Sequence, residues 1–368
     1  MKVAFALPFL QRGYGIEHRV LSLAECLPSD VERAVLCLVL DAPPPRSSTV
    51  VTFPAPIGRR LATSDRRSWV RHVLQTRFHH HLGSDWIVDA QYHPMTELRP
   101  RGASVVTWYS VPPTTYADSG EEARRWESNR RAMIDAARRA DLVLCISEAV
   151  ADEMRRELNH GPRVEVLYIG FDPARSGRAG RKKEGRRILS VGRFTAHKCH
   201  EDTVAAFRLV RDALPKRNVE LILCGTLPTK RQYFETLHIF AAAMGLQPGK
   251  DVHFVPSASD RMISALMSHS DVFVSASRWE GFGMPLVEAQ ASGLPCVAYS
   301  AWSHPEVVAD RGLLAREGDV EGLAERIIGL LERESAWQAA SETALRFVQE
   351  RFRWDRIAAR YVELLSGL

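Results

Sequence analysis

Short apolar runs alternate with longer amphipathic stretches along the first half of the chain. Val3 to Leu7, Ala34 to Leu40, Trp86 to Val88, Ser104 to Trp108 and Leu142 to Ile146 are the apolar runs, and helical patterns such as Glu17 to Leu27 and Ala123 to Ala140 separate them. Strands that alternate with helices build parallel sheets from βαβ units. The series restarts at Arg187 to Val191 and continues through Val219 to Cys224, His253 to Pro256, Val272 to Ser275 and Pro295 to Tyr299. Between the two series, Asp172 to Gly185 is rich in Arg, Lys, Gly and Pro and has no apolar period, which marks a linker. The pattern predicts an α/β chain of two doubly wound domains, residues 1–172 and 186–350, joined by a linker at 173–185. Two such domains facing each other place the carboxyl ends of both sheets around one cleft, where folds of this kind bind ligands. A further apolar stripe, Phe352, Ile357, Tyr361 and Leu364, predicts a last helix over about 351–368.

Composition narrows the ligand. A length of 368 residues suits two domains, and 45% hydrophobic with 25% charged residues leaves no room for a long disordered tract. A net charge of +5 over 49 basic and 44 acidic residues is too mild for a nucleic-acid partner but compatible with a small anionic one. Cys26, Cys37, Cys145, Cys199, Cys224 and Cys296 show no CxxC spacing and read as reduced, mostly buried thiols. The run Val3 to Leu10 reads as a first strand and not as a signal peptide, and no apolar stretch reaches the roughly 18 residues of a membrane span. A cytoplasmic location is expected.

The candidate chemistry lies in the second series. Ser190-Val191-Gly192-Arg193-Phe194-Thr195-Ala196-His197-Lys198 closes a strand: Gly192 allows a close backbone turn, and Arg193 and Lys198 set two cations at the strand's carboxyl end. A guanidinium grips two phosphate oxygens and a lysine adds a point charge, although two solvated surface cations would look the same in isolation. Further on, Gly281 and Gly283 flank Phe282, Pro285 suits the first turn of a helix and Gly293 its end. Free N–H groups and the positive end of that helix form an anion site without a metal. Glu280 and Glu288 bracket the turn; carboxylates accept from sugar hydroxyls and repel phosphate, whereas the plainer reading is capping and solvation.

Taken in order, Gly13 to His18, Ser147-Glu148, Gly170 with Asp172, Gly192 to Lys198, Glu280 to Glu288 and His304-Pro305-Glu306 resemble the GT-B retaining glycosyltransferases of family 4. The resemblance implies two Rossmann-like domains, the last helix packing back on the first. It implies that Arg193 and Lys198 hold a diphosphate, Glu280 the donor sugar and Glu288 the ribose, with the amides of Phe282, Gly283 and Met284 and the loop around Gly15 completing the donor site. A nucleotide-sugar donor is then a co-substrate with no separate cofactor. The acceptor is a hydroxyl of a small molecule, a glycan or a lipid-linked precursor. The implied chemistry is front-face displacement, to which the protein contributes positioning and charge. No DxD triplet occurs, so no metal is implied, and His79-His80-His81 reads as a polar helix end whose side chains diverge.

Two features depart from the resemblance. Where the family carries a histidine after a strand such as Val105 to Trp108, this chain has Tyr109, with His93 the nearest alternative; Ile169-Gly170 replaces Asn-Gly. Tyr109 is expected to donate a hydrogen bond in the chemical step, and loss of Arg193 or Lys198 is expected to leave folding nearly untouched. The basic stretch Arg66 to Leu82, with Trp69, Val70, Val73, Leu74 and Phe78 on one face, fits either a membrane surface or packing on its own sheet. The competing classes are a sugar-nucleotide isomerase, a phosphorylase-like enzyme and a non-catalytic sugar-nucleotide binding protein; retention of Arg193, Lys198 and Glu280 together argues for the transferase.

Overall fold

The computed structural model describes residues 1–10, 16–41, 43, 45, 48–62, 67–117, 119–171, 179–180, 186–227 and 231–368. The side chains of residues 55, 62, 67 and 68 are outside that description. Asp172 and all of the expected linker except Ala179 and Gly180 also lie outside the described residues.

The chain divides into two units. The first comprises Met1–Thr114, Ser119–Gly170 and Trp354–Leu368; the second comprises Thr115–Asp118 and Phe171–Arg353. In the first unit β1 (Lys2–Leu10), α1 (Ile16–Cys26), β2 (Glu32–Leu40), β3 (Thr49–Val51), α2 (Ala55–Ala62), α3 (Arg67–Phe78), β4 (Ile87–Ala90), β5 (Ser104–Trp108), α4 (Gly120–Ala137), β6 (Leu142–Cys145), α5 (Glu148–Leu158) and β7 (Arg163–Val166) follow in order. Among the described residues the strands form one seven-stranded sheet in the order β3-β2-β1-β4-β5-β6-β7, and every pair is parallel. The switch point is β1, flanked by β2 and β4. Buried on both faces, β1 and β2 are near-continuous apolar runs, which is why they are readable in the chain.

The second unit repeats the plan with β8 (Arg186–Val191), α6 (His200–Ala213), β9 (Val219–Gly225), α7 (Gln232–Ala243), β10 (Val252–Pro256), α8 (Asp260–Ser268), β11 (Val272–Ser275), α9 (Met284–Ala291), β12 (Cys296–Tyr299), α10 (His304–Val307), β13 (Leu314–Ala315), α11 (Val320–Glu332) and α12 (Glu334–Arg351). Its parallel sheet runs β10-β9-β8-β11-β12-β13, with the switch point at β8. The core of this unit is built from Leu189's neighbours Ile188, Leu221 and Val274 with Phe207, Ile327 and Leu331 from the covering helices.

The chain then ends in α13 (Trp354–Leu365), which belongs to the first unit. Its stripe Trp354, Ile357, Ala358, Tyr361, Leu364 and Leu365 is buried. The Tyr361 ring stacks on Phe5 of β1 at 5.7 Å, and its hydroxyl donates to Asp89 Oδ2 at 2.8 Å.

Two expectations concern side-chain packing. The apolar face of α3 is spent on its own sheet: Val70, Leu74 and Phe78 are buried in the first unit's core with Val73 packed against it, and only Trp69, at 40%, is exposed. Of the two uses the sequence allows for that stripe, packing on its own sheet is the one seen for these side chains. No helix among the described residues is long and apolar enough to cross one. In the histidine run, which forms a 3-10 turn, the rings of His79 and His80 do not diverge but lie 3.7 Å apart, while His81 sets its edge on Trp86. Cys37, Cys145, Cys199, Cys224 and Cys296 are buried thiols, and Cys26 is exposed.

Fully burying one large apolar side chain is worth about 1.5–3 kcal/mol. The stripe of α13 therefore accounts for a stabilisation comparable to the whole stability of a domain, about 5–15 kcal/mol. A chain ending at Arg353 should lose protection of β1, α1 and β4 while the second unit keeps its own. Hydrogen exchange resolved by segment checks this, and unchanged protection in β1 would contradict it.

Candidate functional site

The second unit's site begins where β8 and β9 reach their carboxyl ends. Gly192 and Gly225 meet there: a Cβ on Gly225 would sit 1.7 Å from the Gly192 carbonyl oxygen, so only glycine fits at 225. Gly192 N donates to Cys224 O at 2.9 Å and Phe194 N to Thr226 O at 3.0 Å, which carries the loop after β8 past the strand end. Phe194 is fully buried and anchors the loop. The chain then makes a 3-10 turn, Ala196–Lys198, before α6.

That turn is fastened to the segment after β11. Arg278 N donates to His197 O at 2.9 Å, and Ser277 Oγ donates to His197 O at 3.2 Å and to Trp279 O at 2.9 Å. These contacts bring Lys198 against Glu280, and Lys198 Nζ is ion-paired and hydrogen-bonded to Glu280 Oε1. Both side chains are largely buried, 13% and 14% exposed, so neither charge has bulk water as its alternative. Burial would push the Glu280 carboxyl up, but Lys198 foremost, with His304 and His197, holds it below its ordinary value. The Glu280 carbonyl accepts from Ser303 Oγ at 3.0 Å.

Aromatic and imidazole groups wall the pair. His304 is fully buried, and its Nδ1 lies 2.9 Å from Tyr299 O. A carbonyl only accepts, so Nδ1 carries the hydrogen and the buried Nε2, which has no hydrogen-bond partner among the described residues, carries the lone pair of the neutral ring. Burial lowers the His304 imidazole against the raising influence of Glu280. His197 is pushed down to about 3, by burial first and Lys198 second, and its ring meets the edge of Trp279 at 5.7 Å. Both rings are neutral at physiological pH.

The remaining expected residues lie on the loop after β8 and on or just before α9. Arg193, on the loop after β8, is exposed, and its guanidinium makes no hydrogen bond or ion pair among the described residues; its carbonyl accepts from Thr195 N at 2.9 Å and lies 3.1 Å from His200 Nε2. Gly283, at φ +86°, caps α9, which has a proline in its first turn, and Gly293, at φ +77°, follows the helix end. Phe282 is buried with its ring edge-on to Phe352 at 5.4 Å; Met284 and Glu288 are half-buried on α9. The segment after β8 therefore carries one neutralised cation, Lys198, and one open cation, Arg193. Among the described residues no group of three or more His, Cys, Asp or Glu side chains is placed to hold a metal ion.

In the first unit Gly15 lies outside the described residues. Tyr109, at the end of β5, does not present a free phenol: its hydroxyl donates to Gln91 Oε1 at 2.6 Å and accepts from Arg19 Nη1 at 3.0 Å. Burial foremost pushes the phenol far above its ordinary value. The expectation that Tyr109 donates a hydrogen bond in the chemical step thus starts from a hydroxyl whose hydrogen is held by Gln91. His93 is half-buried on the segment after β4. Pattern reading missed Arg19 and Asp89, both fully buried, although each left a signal: a cation on the buried face of α1 with Leu23, and a carboxylate within the apolar run of β4.

Comparison with known proteins adds the following. The sequence model described as "Glycosyl transferases group 1" matches residues 172–348, and that described as "Glycosyltransferase Family 4" matches residues 14–175. The chain is 28% identical over 289 residues to MMP alpha-(1->4)-mannosyltransferase of Mycolicibacterium hassiacum, covering 75% of this chain and 64% of that protein. It is 27% identical over 236 residues to N-acetyl-alpha-D-glucosaminyl L-malate synthase of Bacillus anthracis, covering 60% of this chain and 58% of that protein. The matches thus span less than two thirds of these relatives' own lengths. Among solved structures, Anabaena Alr3699/HepE in complex with UDP and glucose is similar in fold, with a TM-score of 0.72 at 21% identity over 100% of both chains.

The expectation that Lys198 can be removed without cost to folding does not survive its contact with Glu280. Deleting one partner of a buried pair strands the other charge, at about 3–5 kcal/mol. Lys198→Met should therefore destabilise the second unit by about that amount, and adding Glu280→Gln should recover most of it. Because the Glu280 carboxyl is held below its unfolded value, the wild-type contribution is complete above that value and is lost as pH falls through the lower folded one. Urea unfolding of the single and double variants, at neutral and acid pH, checks both statements.

Proposed function

The chain belongs to the glycosyl transferases group 1 of family 4, and from that premise we propose that it moves a sugar from a nucleoside diphosphate to an acceptor hydroxyl, with retention and without a metal ion. The observation that carries this reading is the site at the end of β8: an open Arg193, a Lys198 held in reserve on Glu280, and a glycine loop leading into α9. All three suit a diphosphate and the sugar attached to it. On donor binding Lys198 exchanges Glu280 for a phosphate oxygen, which frees the Glu280 carboxylate to accept from a sugar hydroxyl. Glu288 on α9 takes the ribose hydroxyls.

Transfer then proceeds on one face of the sugar. The bond from the anomeric carbon to the diphosphate oxygen breaks, the acceptor oxygen bonds to the same carbon from the same side, and a phosphate oxygen takes the acceptor's proton. Arg193, Lys198 and the amino end of α9 stabilise the charge that develops on the leaving diphosphate. On the acceptor side His93 is the working residue and Tyr109 a support, since the Tyr109 hydroxyl is engaged by Gln91 and Arg19. The acceptor is a small metabolite, a natural product or a polysaccharide or lipid precursor.

A panel of nucleotide sugars read by thermal stabilisation tests the donor. At a hundredfold excess over Kd a true donor stabilises by about 2.7 kcal/mol, and no shift from any member would sink the reading. Arg193→Ala should weaken nucleoside diphosphate binding by about 1.5–3 kcal/mol at unchanged stability. Transfer should persist in EDTA; loss restored by magnesium or manganese would contradict metal independence, and release of free sugar as the main product would point to an isomerase. His93→Gln should lower turnover by at least about tenfold, equal to 1.4 kcal/mol at the transition state, and Tyr109→Phe by less. Steady-state kinetics with the donor so identified decide between the two.

A further inference from the structure

We propose that Arg19 is a positioning residue that acts through Gln91 on the segment carrying His93. The inference rests on the reading of His93 as the acceptor-side residue, and its support comes from a buried polar network in the first unit. Arg19 sits in the first half of α1 with no exposed surface, yet a guanidinium cannot shed its charge. Its Nη1 donates both to Gln91 Oε1 and to Tyr109 Oη at 3.0 Å, and the Tyr109 hydroxyl donates to the same Gln91 oxygen at 2.6 Å. Three groups therefore close a triangle on Gln91, the first residue after β4 and two positions before His93.

The network runs on to a countercharge. Gln91 Nε2 donates to Thr107 Oγ1 at 3.4 Å, Thr107 Oγ1 donates to Asp89 Oδ1 at 2.8 Å, and Tyr361 donates to Asp89 Oδ2 at 2.8 Å. Asp89 is fully buried, and burial raises its carboxyl above the ordinary value against the lowering attraction of Arg19. Arg19 Nε and Nη2 are buried and have no hydrogen-bond partner among the described residues. A core that needed only packing would be served as well by an apolar side chain, since buried ionic groups are often replaceable at no loss of stability. What an apolar side chain cannot do is hold Gln91 and Tyr109 in one geometry. Arg19 Nη1 does so through its two bonds, carried on a rigid planar group, and it thereby sets where the segment after β4 leaves the sheet.

Two variants separate geometry from stability. Arg19→Lys keeps the charge opposite Asp89 but replaces the rigid planar group that carries Nη1 with an ammonium on a flexible stem. Arg19→Met with Asp89→Asn removes both charges together and serves if the lysine variant does not fold. Each is read by melting temperature, by nucleoside diphosphate affinity, by the His93 imidazole 1H–13Cε1 resonance assigned through His93→Gln, and by turnover of the sugar nucleotide chosen in the panel. In a variant that melts near the wild type, the proposal expects a displaced His93 resonance, turnover lowered by about tenfold or more, and nucleotide affinity within about twofold. A native-like variant with an unmoved His93 resonance, or with wild-type turnover, overturns it and leaves Arg19 a structural residue. If the wild type binds no nucleotide sugar, the functional reading fails separately, and the resonance alone decides.

Discussion

Lys198 and Glu280 are separated by 82 positions in the chain, and each would be costly to bury without the other. Their pairing requires the turn after β8 and the segment after β11 to lie side by side, which the Ser277 and Arg278 bonds to the His197 carbonyl accomplish. The strand order follows the same demand: β8 and β11 are neighbours at the switch point of the second sheet. Gly225 then has to be a glycine so that the turn can begin at Gly192. Most of what distinguishes this end of the unit from an ordinary parallel sheet is there to bring one cation and one carboxylate together out of water.

The first unit answers a similar constraint less directly. Arg19 and Asp89 do not form an ion pair; Gln91 and Thr107 stand between them, and two hydroxyls, from Thr107 and Tyr361, satisfy the carboxylate. The direct pair is suited to exchange one partner for a ligand, whereas the relayed one fixes backbone segments relative to one another. The two units share a plan of parallel strands and differ in how they use buried charge.

Much of the fold is legible along the chain because central strands of a parallel sheet are apolar on both faces. β1, β2, β5 and β11 stand out for this reason. β3, β7 and β13 do not: they are edge strands of two to four residues, partly exposed, and without a continuous apolar run. At the site, Arg193, Lys198 and Glu280 are visible as chemistry placed beside glycines, but their states are not. That Lys198 is already paired while Arg193 is open depends on contacts between segments far apart in sequence. Tyr109 illustrates the same limit, because a phenol after a strand reads as available until Gln91 and Arg19 are seen to occupy it.

The bond from Tyr361 to Asp89 joins positions 272 apart, and it closes a unit that the second unit interrupts. During synthesis the chain leaves the ribosome from its amino end, so β1 to β7 emerge long before α13. The second unit, nearly contiguous over Phe171–Arg353, has every strand of its own sheet in hand as soon as that stretch is out. The earlier-made half must wait for the later-made half to pass before Asp89 acquires its hydroxyl and Phe5 its stacking partner. The nascent first unit thus spends the translation of residues 171–353 without the helix whose Tyr361 meets Phe5 and Asp89, and it is the part of the molecule for which a chaperone at the exit tunnel has the most to shield.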